Sequence, residues 1–178
     1  ASTSAIYGDS KEIPFKESQI IGATQSFYAA SKLAGENICH YYSEVFNIPI
    51  TCLRFFTVYG PFGRADMALF LFKKSILEGK EIEVFNHGNM KRDFTYVMDV
   101  VQANMLAMES KKKLFGEVFN VATGKTVSFN GLVAIINAIL GTDVNPKYID
   151  VPVKNYIKNQ VADITKIMKI LDYQPRYD

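Results

Sequence analysis

Stretches of strand length alternate with stretches of helix length along nearly the whole chain, which restricts the fold to a layered α/β architecture with a mostly parallel sheet. The opening ASTSAIYG (1–8) reads as a strand over 1–7 that enters a turn at Tyr7-Gly8. A long helix from about Thr24 to Phe46 precedes the strand IPITCLRFF (48–56), and TVYGPFGRAD (57–66) reads as a loop. MALFLFKKSILEG has helical spacing, EIEVFN is a short strand stopped by Asn86-His87-Gly88, and a helix is expected near 98–110. The strand GEVFNVAT, the helix SFNGLVAIINAILG, the extended NPKYIDVP and a last helix near 163–171 complete the pattern. EVFN occurs twice, which is too short to be an internal repeat.

Composition narrows the functional classes. A chain of 178 residues that is 48% hydrophobic can bury a sizeable core. Its 20 basic and 18 acidic residues leave a formal charge of +2, which predicts neither a nucleic-acid nor a membrane partner. The apolar run FNGLVAIINAIL is too short for a bilayer and broken by asparagines. Cys39 and Cys52 read as small buried hydrophobes in a reducing cytoplasm, and His40 and His87 lack ligand-like neighbours, so no metal is expected.

Within SFYAASKLAGE (26–36), Tyr28 and Lys32 share a helix face. One reading is a packed ring beside a solvated amine. The other is chemical: a phenol, with a reference pKa of about 10, serves as a base near neutrality only where a neighbouring cation favours its anion. Ser2, Thr3 and Ser4 stand at the end of the first strand, and parallel sheets bind ligands beyond their carboxyl ends. Thr3 is therefore a candidate partner for a substrate hydroxyl; the plainer alternative is that such residues simply end strands well.

Taken together, STSAIYG (2–8), YAASK (28–32), LRFFTVYGPFGRADMA (53–68) and MKRDFTYVMDVV (90–101) resemble the NAD-dependent epimerase/dehydratase family, the extended short-chain dehydrogenases of nucleotide sugars, and most of all its UDP-glucuronate 4-epimerases. The resemblance covers nearly the whole chain. The family's Gly-rich pyrophosphate turn, with an acidic residue about 20 positions on, has no counterpart here; the nearest glycine pair, Gly60-Pro61-Phe62-Gly63, reads as a loop. The expectation is thus a C-terminal portion of a longer enzyme, inactive alone. Its fold would be a partial Rossmann-like parallel sheet, lacking the N-terminal half, interleaved with a small α/β substrate-binding domain. Residues 1–60 and 90–122 would belong to the NAD-binding domain, and 61–89 and 123–178 to the sugar-nucleotide domain.

The resemblance also implies roles. Tyr28 matches the base, Lys32 the residue that holds the nicotinamide ribose, and Thr3 the hydroxyl that orients the sugar; Phe55 falls beside the NAD. Thr57, Arg64 and Ser4 fall near the sugar, Arg92 matches a diphosphate-gripping arginine, and Lys154 stands where relatives often carry a second one. Two alternatives stay open: Arg92 pairs with Asp93, or Arg64 pairs with Asp66 and shapes its loop. Where sugar dehydratases carry Asp-Glu after the threonine and decarboxylases Ser-Glu, this chain has Ser4-Ala5, which leaves elimination without its acid and base. The expected reaction is 4-epimerisation of UDP-glucuronate to UDP-galacturonate through a 4-keto sugar. The rival substrates are UDP-glucose and UDP-N-acetylglucosamine, and the rival class is a non-catalytic binding or dimerisation domain. A cytoplasmic homodimer joined through the Tyr28 helix is implied as well.

Overall fold

The structure is a computed structural model that describes residues 1–150 and 159–177. In chain order its elements are β1 (Ser2–Thr3), α1 (Phe27–Phe46), β2 (Cys52–Phe55), β3 (Thr57–Tyr59), α2 (Ala68–Leu77), β4 (Ile82–Phe85), β5 (Lys91–Arg92) and β6 (Phe94–Tyr96). There follow α3 (Val97–Glu109), β7 (Val118–Val121), β8 (Val127–Ser128), α4 (Phe129–Leu140), β9 (Pro146–Ile149), β10 (Asn159–Gln160) and α5 (Thr165–Leu171). The pairs β1–β2, β2–β7, β3–β6, β4–β9 and β5–β10 are parallel, and β5–β8 is antiparallel. The mostly parallel α/β architecture expected from the sequence is what forms.

Local chemistry sets the boundaries. Helix α1 starts at Phe27 rather than Thr24 because the Ser26 side chain accepts the Ala29 N–H at 3.1 Å, and it ends where Asn47 turns left-handed at φ 53°. In α4 the buried positions Phe129, Leu132, Val133 and Ile136 recur at helical spacing, with Ser128 as N-cap and Gly141 as the left-handed stop. The first strand is shorter than the sequence suggests. It stops at Thr3, whose Oγ1 accepts the Ala5 N–H at 3.2 Å, and residues Ser4–Tyr7 coil into a 3₁₀ turn. The segment read as a loop from Thr57 opens with β3, which its pairing to β6 holds in place.

Three apolar clusters hold these layers together. Leu53, Phe119 and Val121 of the central sheet meet Val100 and Ala103 of α3, Ile167 and Leu171 of α5, and Tyr173. Phe72 and Ile76 of α2 meet Ile82 and Val84 of β4 and the buried face of α4. Ile6, Tyr7, Phe15, Phe56, Ala122 and Ala162 form the third. Each well-buried Leu, Ile, Val or Phe in these clusters contributes about 1.5–3 kcal/mol.

Helix α1 departs from this pattern. Its buried residues are Ala29, Glu36 and Ser43, whereas Ile38, Tyr41, Tyr42, Val45 and Phe46 face outward, each about half exposed. Tyr41, Tyr42 and Phe46 pack on one another with ring centroids 5.2–6.0 Å apart.

Candidate functional site

The candidate site begins at the carboxyl edge of the central sheet. Register aligns Thr3 with Phe55 and Phe55 with Val121, so these residues form one cross-strand row at the last position of β1, β2 and β7. Open parallel sheets bind ligands beyond such an edge. Thr3 and Ser4 are both buried, Ser4 within the 3₁₀ turn. Phe55 packs partly against the first cluster.

One residue back, the row Ser2, Arg54 and Asn120 points to the other face of the sheet, toward α1. Arg54 holds Glu36 of α1 with two bonds, Nε–Oε1 at 2.9 Å and Nη2–Oε2 at 2.7 Å, and the Ser2 hydroxyl donates to the same carboxylate. Arg54 Nη1 also donates to the Tyr7 hydroxyl at 2.8 Å, which donates to Asn120 Oδ1 at 2.7 Å. Burial opposes the Arg54 charge, but the bonds to Glu36 and Tyr7 outweigh it and raise its pKa. Burial pushes the Tyr7 phenol up to about 12 despite the nearby guanidinium. This network fixes α1 against the sheet and so places the two residues that α1 presents.

Those residues are Tyr28 and Lys32. The Lys32 ammonium lies 5.9 Å from the centroid of the Tyr28 ring and donates to the Ala1 carbonyl at 3.1 Å, which ties α1 to the start of β1. Tyr28 is 54% exposed, so its ring is not a core side chain among the described residues.

A second group gathers around a cavity of about 220 Å³ between β3, α2 and β5. Thr57 and Arg92 both line it, along with Met67, Phe94, Phe129 and Gln160. Arg92 is buried, donates to the Lys91 carbonyl at 2.9 Å and lies 5.5 Å from the centroid of the Phe129 ring. The Asp93 carboxylate is engaged elsewhere: it accepts the Thr123 N–H and hydroxyl at 2.9 and 2.7 Å and the Gly124 N–H at 2.8 Å. Burial raises its pKa even though those bonds favour the anion. Gln160 escaped the sequence reading because it reaches the cavity only through β10, which sets it in register with Arg92.

Arg64 forms a two-bond pair with Asp66, with Nε–Oδ1 at 3.0 Å, as the loop-shaping alternative expects. Asp66 raises its pKa through the hydrogen bonds, and Tyr28 lies within electrostatic reach. Both partners are well exposed, so the pair contributes little and a stronger acceptor can displace it. Asp66 also lines a neighbouring cavity of about 380 Å³ with Leu71, Phe72, Glu83, Phe85 and Phe129. Lys154 lies outside the described residues.

A further cavity, of about 630 Å³, opens at the amino end of β7 among His40, Gly116, Glu117 and Lys166. It holds none of the residues expected from the sequence and sits at the wrong end of a parallel sheet for a ligand site. Among the described residues no three His, Cys, Asp or Glu side chains gather as metal ligands, and no helix is long and apolar enough to cross a membrane.

Comparison with known proteins bears on this arrangement. Residues 1–122 match the model of the NAD dependent epimerase/dehydratase family. The chain is 38% identical over 192 residues to UDP-glucuronate 4-epimerase 4 of Arabidopsis thaliana, covering all of this chain and 44% of that protein. It superposes with a TM-score of 0.92 and 36% identity on a UDP-glucuronic acid 4-epimerase from Bacillus cereus, solved with UDP-glucuronic acid and NAD, over 99% of this chain and 55% of that one. A UDP-N-acetylglucosamine 4-epimerase from Methanobrevibacter ruminantium, in complex with UDP-N-acetylmuramic acid, gives 0.91 and 32% over 99% of this chain and 56% of that one. The chain thus spans about half the length of these relatives.

Proposed function

The chain belongs to the NAD-dependent epimerase/dehydratase family, and from that premise we propose that it forms part of an NAD-dependent nucleotide-sugar 4-epimerase acting on UDP-glucuronate. The single observation that carries the reading is the convergence of Thr3, at the carboxyl end of β1, with α1, whose Lys32 is bonded to Ala1 and stands beside Tyr28. We further propose that the protein divides into two interleaved lobes, as the resemblance implies. The separate clusters around β7 and around α4 support that division. The packing of α5 in the first cluster argues for counting that helix with the NAD-binding lobe.

The donor set suits the nicotinamide end of the cofactor: an ammonium for ribose hydroxyls on Lys32, beside a phenol and an apolar strand end at Phe55. The pyrophosphate cradle has no counterpart among these residues. When bound, NAD supplies a hydride acceptor that can return the hydride to either face of the sugar C4. Tyr28 would take the proton from the C4 hydroxyl when the sugar is oxidised and return it to the same oxygen when the sugar is reduced. Lys32 favours the phenolate by its charge, and Thr3 orients the hydroxyl by a hydrogen bond. Ser4-Ala5 offers no acid or base for eliminating water, so inversion at C4 is the chemistry that remains.

The uronate preference rests on Arg64. Seven residues beyond Thr57, its forked donors already hold one carboxylate, that of Asp66, and a C6 carboxylate of the same planar geometry can take its place. In the full-length protein, Arg64→Leu should lower kcat/KM for UDP-glucuronate at least a hundredfold, since the substrate carboxylate loses its forked two-bond donor. Activity on UDP-glucose should change far less. Equal losses on both would assign Arg64 to its loop and leave UDP-glucose or UDP-N-acetylglucosamine as the substrate.

A further inference from the structure

The loop joining β3 to α2 is fixed at both ends and strained at its tip. Gly60, at φ +145°, needs glycine, and a β carbon there would also lie 2.6 Å from a Val97 methyl; one on Gly63 would lie 2.5 Å from the Phe70 ring, which would have to shift. Between them the Gly63 N–H donates to the Gly60 carbonyl at 3.2 Å, closing a turn with Pro61 and Phe62 at its centre. Proline is confined to negative φ, whereas Phe62 has φ +62°. That combination is a type II turn, whose third position normally takes glycine or asparagine.

A bulky residue at positive φ is a backbone outlier, and the Phe62 side chain is fully exposed, at 107% relative accessibility. The described fold therefore gains neither burial nor favourable backbone geometry from a phenylalanine at this point. Strain of this kind, held by rigid surroundings, concentrates at ligand clamps. The loop also borders the candidate site: Thr57 begins the strand that leads into it, and Asp66, which holds Arg64 two residues past Phe62, lines the same cavity as Thr57 and Arg92.

We propose that Phe62 is a substrate-covering residue whose ring closes on the apolar C–H face of the hexose in a bound UDP-hexuronate while Arg64 meets its acidic end. The inference rests on the nucleotide-sugar reading above and adds a specificity contact to it. The ring gains its covering surface only when sugar is present, which explains why it waits in solvent on a pinned turn.

These 178 residues contain no tryptophan, so Phe62→Trp adds one indole to this part of the protein, and the difference in emission between the variant and the parent reports on its surroundings. Titration of this variant with UDP-glucuronate should shift its emission to the blue, whereas UDP alone should not. Phe62→Gly should melt at the same or a higher temperature, because it relieves the turn, yet bind UDP-glucuronate about tenfold more weakly with UDP affinity kept. Calorimetric binding of UDP-glucuronate with no change in emission would overturn the inference and leave the substrate reading standing. A blue shift that grows with protein concentration without ligand would also overturn it, by assigning the ring to a contact between copies. An absence of calorimetric binding by the unsubstituted full-length protein would remove the substrate reading, and this inference with it.

Discussion

Arg54 of β2 and Glu36 of α1 form a buried two-bond ion pair, 2.7 Å apart at its shortest, across the interface that seats the helix carrying Tyr28 and Lys32. Removing one partner leaves a desolvated charge, which typically costs about 3–5 kcal/mol. Arg54→Leu and Glu36→Gln should each lower the urea midpoint by a corresponding amount. The double variant Arg54→Leu/Glu36→Leu should be less destabilised than the sum of the singles. Additive losses would mean that the pair is not coupled.

Tyr7 predicts an alkaline limit to stability. Its folded pKa is raised, to about 12 against 10 for the free phenol, chiefly by burial. The folded state therefore holds this proton more tightly than the unfolded state, so the contribution is complete below pH 10 and disappears as pH rises toward 12. Two pH units correspond to about 2.7 kcal/mol. Unfolding free energy measured by urea at pH 9 and pH 11.5 should fall more steeply in the parent chain than in Tyr7→Phe, which loses stability at both values but loses the slope from this group. Cys52, pushed up to about 11 by burial, and Tyr173, also raised by burial, contribute to the slope that remains.

Tyr28 and Lys32 should separate by the kinetic constants they affect. In the full-length protein, Tyr28→Phe removes only the proton-transferring oxygen, so nucleotide-sugar affinity should stay within a few-fold while kcat falls about 100- to 10,000-fold. Lys32→Met should weaken NAD binding and kcat together, since the ammonium serves both. Retention by Tyr28→Phe of more than a tenth of the parent rate would point to another base.

The outward face of α1, where Tyr41, Tyr42 and Phe46 form one contiguous aromatic group and Val45 is likewise about half exposed, is the proposed homodimer surface. Sedimentation of the full-length protein should show a dimer that Tyr42→Asp/Val45→Asp converts to monomer without loss of helical circular dichroism. A monomer from the unsubstituted protein at high concentration would assign this face to another part of the same protein.

The sequence by itself determined where most elements lie and which motifs carry chemistry, because those signals are local. Capping serines at 26 and 128, the apolar spacing of α4 and the left-handed stops at Asn47 and Gly141 each act within a few residues. The Tyr28–Lys32 spacing is equally local, since four residues close one helical turn. Only the tertiary structure decided what those residues meet. Two-residue strands such as β5, β8 and β10 have no periodicity to read, and they exist because remote backbones pair. That pairing alone brings Gln160 beside Arg92 and aligns Thr3 with Phe55. It also decided which face of α1 turns inward: the sheet surface beneath the helix presents Arg54, so a carboxylate turns inward to satisfy that charge and the aromatic face is left outside. Burial of a charge is settled by its partner, and the partner here comes from another element of the fold.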